Sequence, residues 1–157
     1  MTPLPTDALR TTSGIDLMRA MFAGDLPPAP ILQLLGFHGG DVGEGWVEFK
    51  GTPGEQHYNP LGIVHGGYAA TILDSCMGCA VHTTLKAGTG YTTIDMNVTY
   101  LRPMSAATGE VVARGEVITS GRRVATARGQ LTDTRGKLIA TATTSCLIFP
   151  LDDRAGG

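Results

Sequence analysis

Residues 59–78 read NPLGIVHGGYAATILDSCMG. Asn59 to Gly67 is a polar, glycine-broken turn, and the segment after it is built from apolar and small residues with one acid, Asp74. From Gly66 to Leu85, Asp74 is the only formally charged side chain. Ile72, Leu73, Met77, Val81 and Leu85 are interleaved with Ala, Thr, Gly and Cys, which predicts a helix from about Gly66 to Lys86. A helix that is apolar around most of its circumference is a buried one. Its small residues let other backbone approach closely. An ionised carboxylate in such surroundings is costly unless paired or hydrogen-bonded. Asp74 therefore either reaches solvent at a subunit edge or bonds a strand, or it sits in a partly desolvated pocket as a nucleophile or general base.

His65-Gly66-Gly67 stands where this helix begins. Free N–H groups and the positive end of the helix dipole suit a developing oxyanion, and glycine lets a ligand approach the backbone. Gly66 and Asp74 are eight residues apart, about 12 Å along a helix axis. That is too far for both to hold one carbonyl within one chain. Either the ligand spans them, or the acid comes from a second subunit. Asn59 is either a turn residue or an amide that orients substrate or water. His65 is either a structural cap or a group at the site.

Upstream, Ile15, Met18, Met21 and Phe22 have helical spacing, with Gly24 as a stop. Pro27, Pro28 and Pro30 come next, then a second short helix over Ala29–Leu35 ended by Gly36. Gly39 to Pro53 is strand-like. Downstream, Tyr91–Leu101 alternates, with Thr93, Asp95, Asn97 and Thr99 on one parity and Ile94, Met96, Val98 and Tyr100 on the other. Gly109–Thr119, Arg123–Thr132 and Lys137–Phe149 are three more strands, joined by Ser120-Gly121-Arg122 and Asp133-Thr134-Arg135-Gly136. The four strands after the helix are expected to form an antiparallel meander. The expected organisation is α+β: an N-terminal helical arm (1–38), a core domain (39–150) and a flexible tail (151–157). A sheet with only one long helix to cover must curl around it.

At 157 residues the chain reads as one domain. A net charge of −2 gives no electrostatic case for nucleic acid. No apolar run is long enough for a membrane helix. The opening MTPLPTDALR lacks a signal-peptide pattern. Three cysteines, an odd number, point to reduced thiols and a cytoplasmic setting. Cys76 and Cys79 fit C-x-x-C, yet they fall in mid-helix without a second ligand pair and read as core packing. No His, Cys and acid set has metal-ligand spacing.

The pattern N-P-x-G-x-x-H-G-G, with an acid nine residues after the histidine, resembles the hotdog-fold acyl-CoA thioesterases of the phenylacetate-degradation type. The resemblance extends over about 39–149, including YTTIDMNVTYLRP at 91–103. It implies a hotdog fold, an antiparallel sheet curled around one long buried helix. It also implies roles. Asp74 matches the catalytic carboxylate, and the Gly66 N–H the group that polarises the thioester carbonyl. His65 and Asn59 match residues that orient the turn, substrate or water, and Thr93 a hydroxyl that helps position water. Asn59, His65 and Gly66 would come from one subunit and Asp74 with Thr93 from its partner, in a dimer that pairs again into a tetramer. In a related subgroup the turn after the acid carries a threonine; here Gly78 stands there.

The implied reaction is hydrolysis of a small acyl- or aryl-CoA, with Asp74 activating water or attacking directly through a mixed anhydride. It needs no metal or redox cofactor, since coenzyme A is part of the substrate. Gly67 would contact substrate. Arg102, Arg122 and Arg123, with Arg128 farther along its strand, are either ordinary surface charge or contacts to coenzyme A phosphates. Two other readings stay open. A hotdog enoyl-CoA hydratase would carry an acid and a histidine around Asn-Pro, where this chain has His57 and Gly62. A non-catalytic acyl-CoA-binding module would not need Asp74.

Overall fold

The computed structural model describes residues 6–151. The element order is α1 (Thr6–Thr11), α2 (Gly14–Ala23), α3 (Pro30–Leu35), β1 (Phe37–Gly43), β2 (Trp46–Gly51), α4 (Gly66–Thr83), β3 (Thr89–Tyr100), β4 (Val111–Ser120), β5 (Val124–Asp133) and β6 (Leu138–Pro150). Apart from Leu151, the expected flexible tail lies outside the described residues. The strand-like stretch Gly39–Pro53 belongs to a hairpin, β1 and β2, whose turn at Gly45 has φ +81 and so suits glycine.

All six strands are antiparallel neighbours in the order β1-β2-β4-β5-β6-β3. This corrects the expected meander: β4, β5 and β6 adjoin in sequence order, but β3 lies beyond β6. Residues 101–110 carry the chain from β3 back to β4. The crossing spans three strand spacings, about 14 Å, well within the reach of such a linker. Hairpin signals locate strands, but they do not say which sheet edge an unpaired strand joins.

The sheet wraps α4. Ile72, Leu73, Cys76, Met77, Ala80 and Val81 of the helix are fully buried, against Val47, Phe49, Val111, Ala113, Ala127 and Leu131 of the strands. Glycine makes the closest approach possible: a methyl at Gly115 would collide with the Cys76 backbone. Gly115→Val is therefore expected to destabilise the fold by about 3 kcal/mol or more, the upper range for overpacking. Denaturant unfolding checks it, and a native midpoint would contradict this packing. Helix α2 is capped by Ser13, whose Oγ accepts the Asp16 N–H, and stopped by Gly24 at φ +85. It adds buried Met18 to the same core, and Phe22 meets Phe49 edge-on at 5.4 Å.

Strand β3 departs from the simple alternation read from its sequence. Thr93 pairs with Cys146 and Asp95 with Ser145, so Ile94 is an extra residue in a bulge. The bulge moves Thr93 onto the same side as Met96 and Val98, facing α4, and leaves Ile94 56% exposed.

Candidate active site

The turn before α4 is organised by Asn59. Its Oδ1 accepts the Leu61 N–H at 2.9 Å and the Ile63 N–H at 3.4 Å. Its backbone N–H donates to the Ile63 carbonyl at 2.8 Å, and its carbonyl accepts the Gly62 N–H at 3.0 Å. Gly62 takes φ +77, which suits a residue without Cβ. The turn reading of Asn59 is met by its oxygen, and its amide NH₂ remains a donor.

His65 caps α4. Its Nδ1 accepts the Gly67 N–H at 2.9 Å, so its proton sits on Nε2. The Tyr68 N–H returns to the His65 carbonyl. The amide of Gly66, first in the helix, has no acceptor within it. It is left as an open donor at the helix start. His65→Ala is expected to cost about 1 kcal/mol by loss of the cap. His65→Asn should restore most of that, as thermal unfolding would read, and equal stability in all three chains would remove the cap.

Asn59 and Gly66 line a cavity of about 300 Å³ with Ile63, Tyr100, Arg102 and Met104 among its other walls. The cavity is mainly apolar, and Arg102 is its one charged wall. The Arg102 Nε donates to the Leu138 carbonyl at 3.0 Å, which leaves its terminal nitrogens available. The Tyr100 ring stands against Gly66, where a Cβ would lie 3.1 Å from ring carbons. The sequence pattern puts Tyr100 on a parity with Met96 and Val98 but gives it no place at the site. Its meeting with Gly66 depends on how β3 crosses the helix start. His65 and Gly67 face another cavity, with His57, Tyr68 and Thr71.

Asp74 lies farther along α4 and is half-buried. The Thr93 hydroxyl donates to its Oδ1 at 2.9 Å. Around it three thiols and a phenol are pushed toward their neutral forms. Burial lifts the Cys76 thiol and the Tyr91 phenol well up, pushes Cys79 up to about 12, and raises Cys146. The Asp74 charge adds to each rise. The cysteines are thus packing groups rather than nucleophiles. Unfolding releases thiols that ionise near 9.0 while the folded ones remain protonated. The unfolded chain then binds fewer protons, so stability is expected to fall as pH rises through 9, tracked by melting temperature. A melting temperature flat to pH 10 would contradict it.

Gly78 has its own explanation. A Cβ there would lie 2.8 Å from the Tyr91 ring, so the ring occupies the space a threonine would need. Arg122 and Arg123 line a separate cleft with Thr89 and Leu147–Pro150. Because Cys146 pairs with Thr93, this cleft lies toward the Asp74 end of the sheet, whereas Arg102 belongs to the Gly66 end. Arg128 is engaged by Glu116 at 3.0 Å. Among the described residues no group of three His, Cys, Asp or Glu could hold a metal ion, and no helix is long and apolar enough to cross a membrane.

A curled antiparallel sheet around one central helix is the hotdog fold. The model of the thioesterase superfamily matches residues 61–140, about half of the chain, and the chain belongs to that family. It is 40% identical over 87 residues to acyl-coenzyme A thioesterase 13 of Mus musculus, a match covering 55% of this chain and 61% of the mouse protein. The match therefore spans less than two thirds of that relative. Among solved structures it resembles a phenylacetic acid degradation-related protein of Ralstonia eutropha JMP134, at TM-score 0.75 and 31% identity, over 82% of this chain and 97% of that one. The PaaI protein of the E. coli phenylacetic acid degradation operon shares the fold at TM-score 0.75 and 18% identity, over 87% of this chain and 93% of that one.

Proposed function

We propose that this protein hydrolyses acyl-CoA thioesters to the free acid and coenzyme A. The observation that carries the reading is the division of polar groups along α4. Gly66, with its unspent amide, shares an apolar cavity with Asn59, and a carboxylate oriented by a hydroxyl, Asp74 with Thr93, lies two turns on. The names of the mouse and Ralstonia relatives support the reading.

The Gly66 N–H, aided by the positive end of α4, takes the thioester oxygen and stabilises the negative charge that builds there. Asp74 accepts a proton from water as it attacks, or attacks itself to form a mixed anhydride that water then cleaves. Thr93 holds one carboxylate oxygen, which fixes the other toward the reacting carbon. The coenzyme A thiolate is a good leaving group and needs no strong acid. Asp74 does not line the cavity that holds Asn59 and Gly66. This supports a homodimer in which each site takes Asn59 and Gly66, with His65 capping the helix beside them, from one protomer and Asp74 with Thr93 from its partner; that such dimers pair into a tetramer is proposed from the family resemblance alone. In the dimer the partner would bring its Arg122–Arg123 pair along with Asp74, adding cations to Arg102 for the phosphates of coenzyme A. The free cysteines support a reducing, cytoplasmic setting.

A small aromatic acyl group is the substrate class we favour, given the phenylacetate link in the names of the structural relatives and an apolar cavity walled by Tyr100 and Met104. The test is thiol release from a panel of aryl-CoA and linear acyl-CoA esters, read as kcat/KM. Release from phenylacetyl-CoA ahead of long linear chains is expected. Hydration of crotonyl-CoA without thiol release, or tight binding without turnover, would replace the reading with a hydratase or a binding module.

A further inference from the structure

We infer that Asp95 is a positioning residue: by locking the β3 bulge it turns Thr93 onto Asp74. The inference rests on the thioesterase reading for its kinetic consequence, but its geometry stands independently. In the sequence Thr93 and Met96 are three apart, so in a regular strand they would face opposite sides of the sheet. Both face α4, because Ile94 is looped out between Thr93, opposite Cys146, and Asp95, opposite Ser145. With Ile94 paired instead, either Thr93 leaves Asp74, or Met96 and Val98 leave the core. Core burial favours the apolar pair, so Thr93 is the residue that would be lost.

A bulge interrupts the ladder and needs replacement hydrogen bonds. Asp95 supplies both on the β6 side. Its carboxylate Oδ1 accepts the Ser145 N–H at 3.1 Å, and its carbonyl accepts the hydroxyl of Thr144 at 2.7 Å. Thr144 is buried, 2% exposed, so its hydroxyl is committed to this bond. Asp95 itself is exposed and directed away from α4, so its influence on the reacting groups passes through backbone register. The Thr93–Asp74 bond of 2.9 Å is then the product of a clamp one step along the strand.

The experiment compares Asp95→Ala, Asp95→Asn and Thr144→Val, alone and in a Thr93→Ala background, with melting temperature recorded for each. Asp95→Ala is expected to lower kcat about tenfold with KM within about twofold, since misplacing a group by an ångström carries penalties of that order or larger. Asp95→Asn keeps the Oδ1 acceptor and should recover most of the rate. Thr144→Val removes the other bond and should lower kcat in the same sense, which keeps the test open if Asp95→Ala folds poorly. In the Thr93→Ala chain neither change should cost anything further, because residues that act as a unit are non-additive. An unchanged kcat in Asp95→Ala, or an equal loss with and without the Thr93 hydroxyl, would overturn the inference. If the native chain releases no thiol, the functional reading falls. The clamp is then judged by a crystal structure of Asp95→Ala: Thr93 turned from Asp74 supports it, and Thr93 still bonded to Asp74 ends it.

Discussion

Asp74→Asn is expected to lower kcat by at least about 100-fold, the scale for losing a catalytic acid or base, with KM and melting temperature close to native. The substitution is nearly isosteric. The amide oxygen can still accept the Thr93 hydroxyl, which donates to Oδ1 at 2.9 Å. The helix keeps its packing, because Leu73, Cys76 and Met77 around that position are unchanged and fully buried. The variant loses the negative charge and the basic oxygen, so neither water activation nor direct attack remains. The neighbouring thiols cannot substitute, since burial, the largest cause of the raised Cys79 pKa, acts on that thiol whether or not the carboxylate is present. Steady-state kinetics on the best substrate of the panel checks this. Turnover at the native rate would remove Asp74 from the mechanism whatever its geometry.

The second large effect is a recovery. Asp74→Asn and Asn59→Asp chains are each expected to be nearly inactive. Asp at position 59 keeps the acceptor for the Leu61 and Ile63 amides but removes the NH₂ and adds a charge in front of Gly66. If each site draws Asn59 from one protomer and Asp74 from the other, a mixed dimer contains one site with both native residues and one with neither. Random reassembly of equal amounts should return about a quarter of the native rate, as an interface with twofold symmetry requires. Tagged purification of the mixed species would double the yield per dimer to about half. Mixed dimers verified by mass and still inactive would show that Asn59 and Asp74 do not act in a site shared between chains.

Much of this was legible in the chain, and the reason is local. Gly66–Thr83 announces itself because an apolar circumference and a lone acid are properties of a short window. The end of α2 at Gly24 and the turn at Asn59–Gly62 are equally local, set by left-handed glycines at φ +85 and +77. Strand positions came from Val, Ile and Thr content and from the turns between them. Asn59, Gly66, Asp74 and Thr93 could be nominated because a helix start and a stranded charge are recognisable before any packing is known.

The rest depended on contacts between distant parts of the chain. Strict alternation put Thr93 and Met96 on opposite faces, and only pairing with β6 revealed Ile94 as an extra residue. The Tyr100 ring meets Gly66 because β3 passes the start of α4. Gly78 is small because Tyr91 needs its space. None of these pairs is near in sequence.

The sequence by itself determined α2, α3, the four strands after the buried helix, that helix and the pair of chemical features at its start and middle, since these derive from periodicity, caps and the cost of an isolated charge. Helix α1 and the split of the 39–53 stretch into β1, which begins at Phe37, and β2 were not read from it. Tertiary structure alone decided that β3 joins β6 rather than β4, that a bulge brings Thr93 to Asp74, and that Asn59, Gly66, Tyr100 and Arg102 share one cavity. Edge choice and register are settled by how apolar faces are covered across the whole sheet, a quantity that no local window of residues contains.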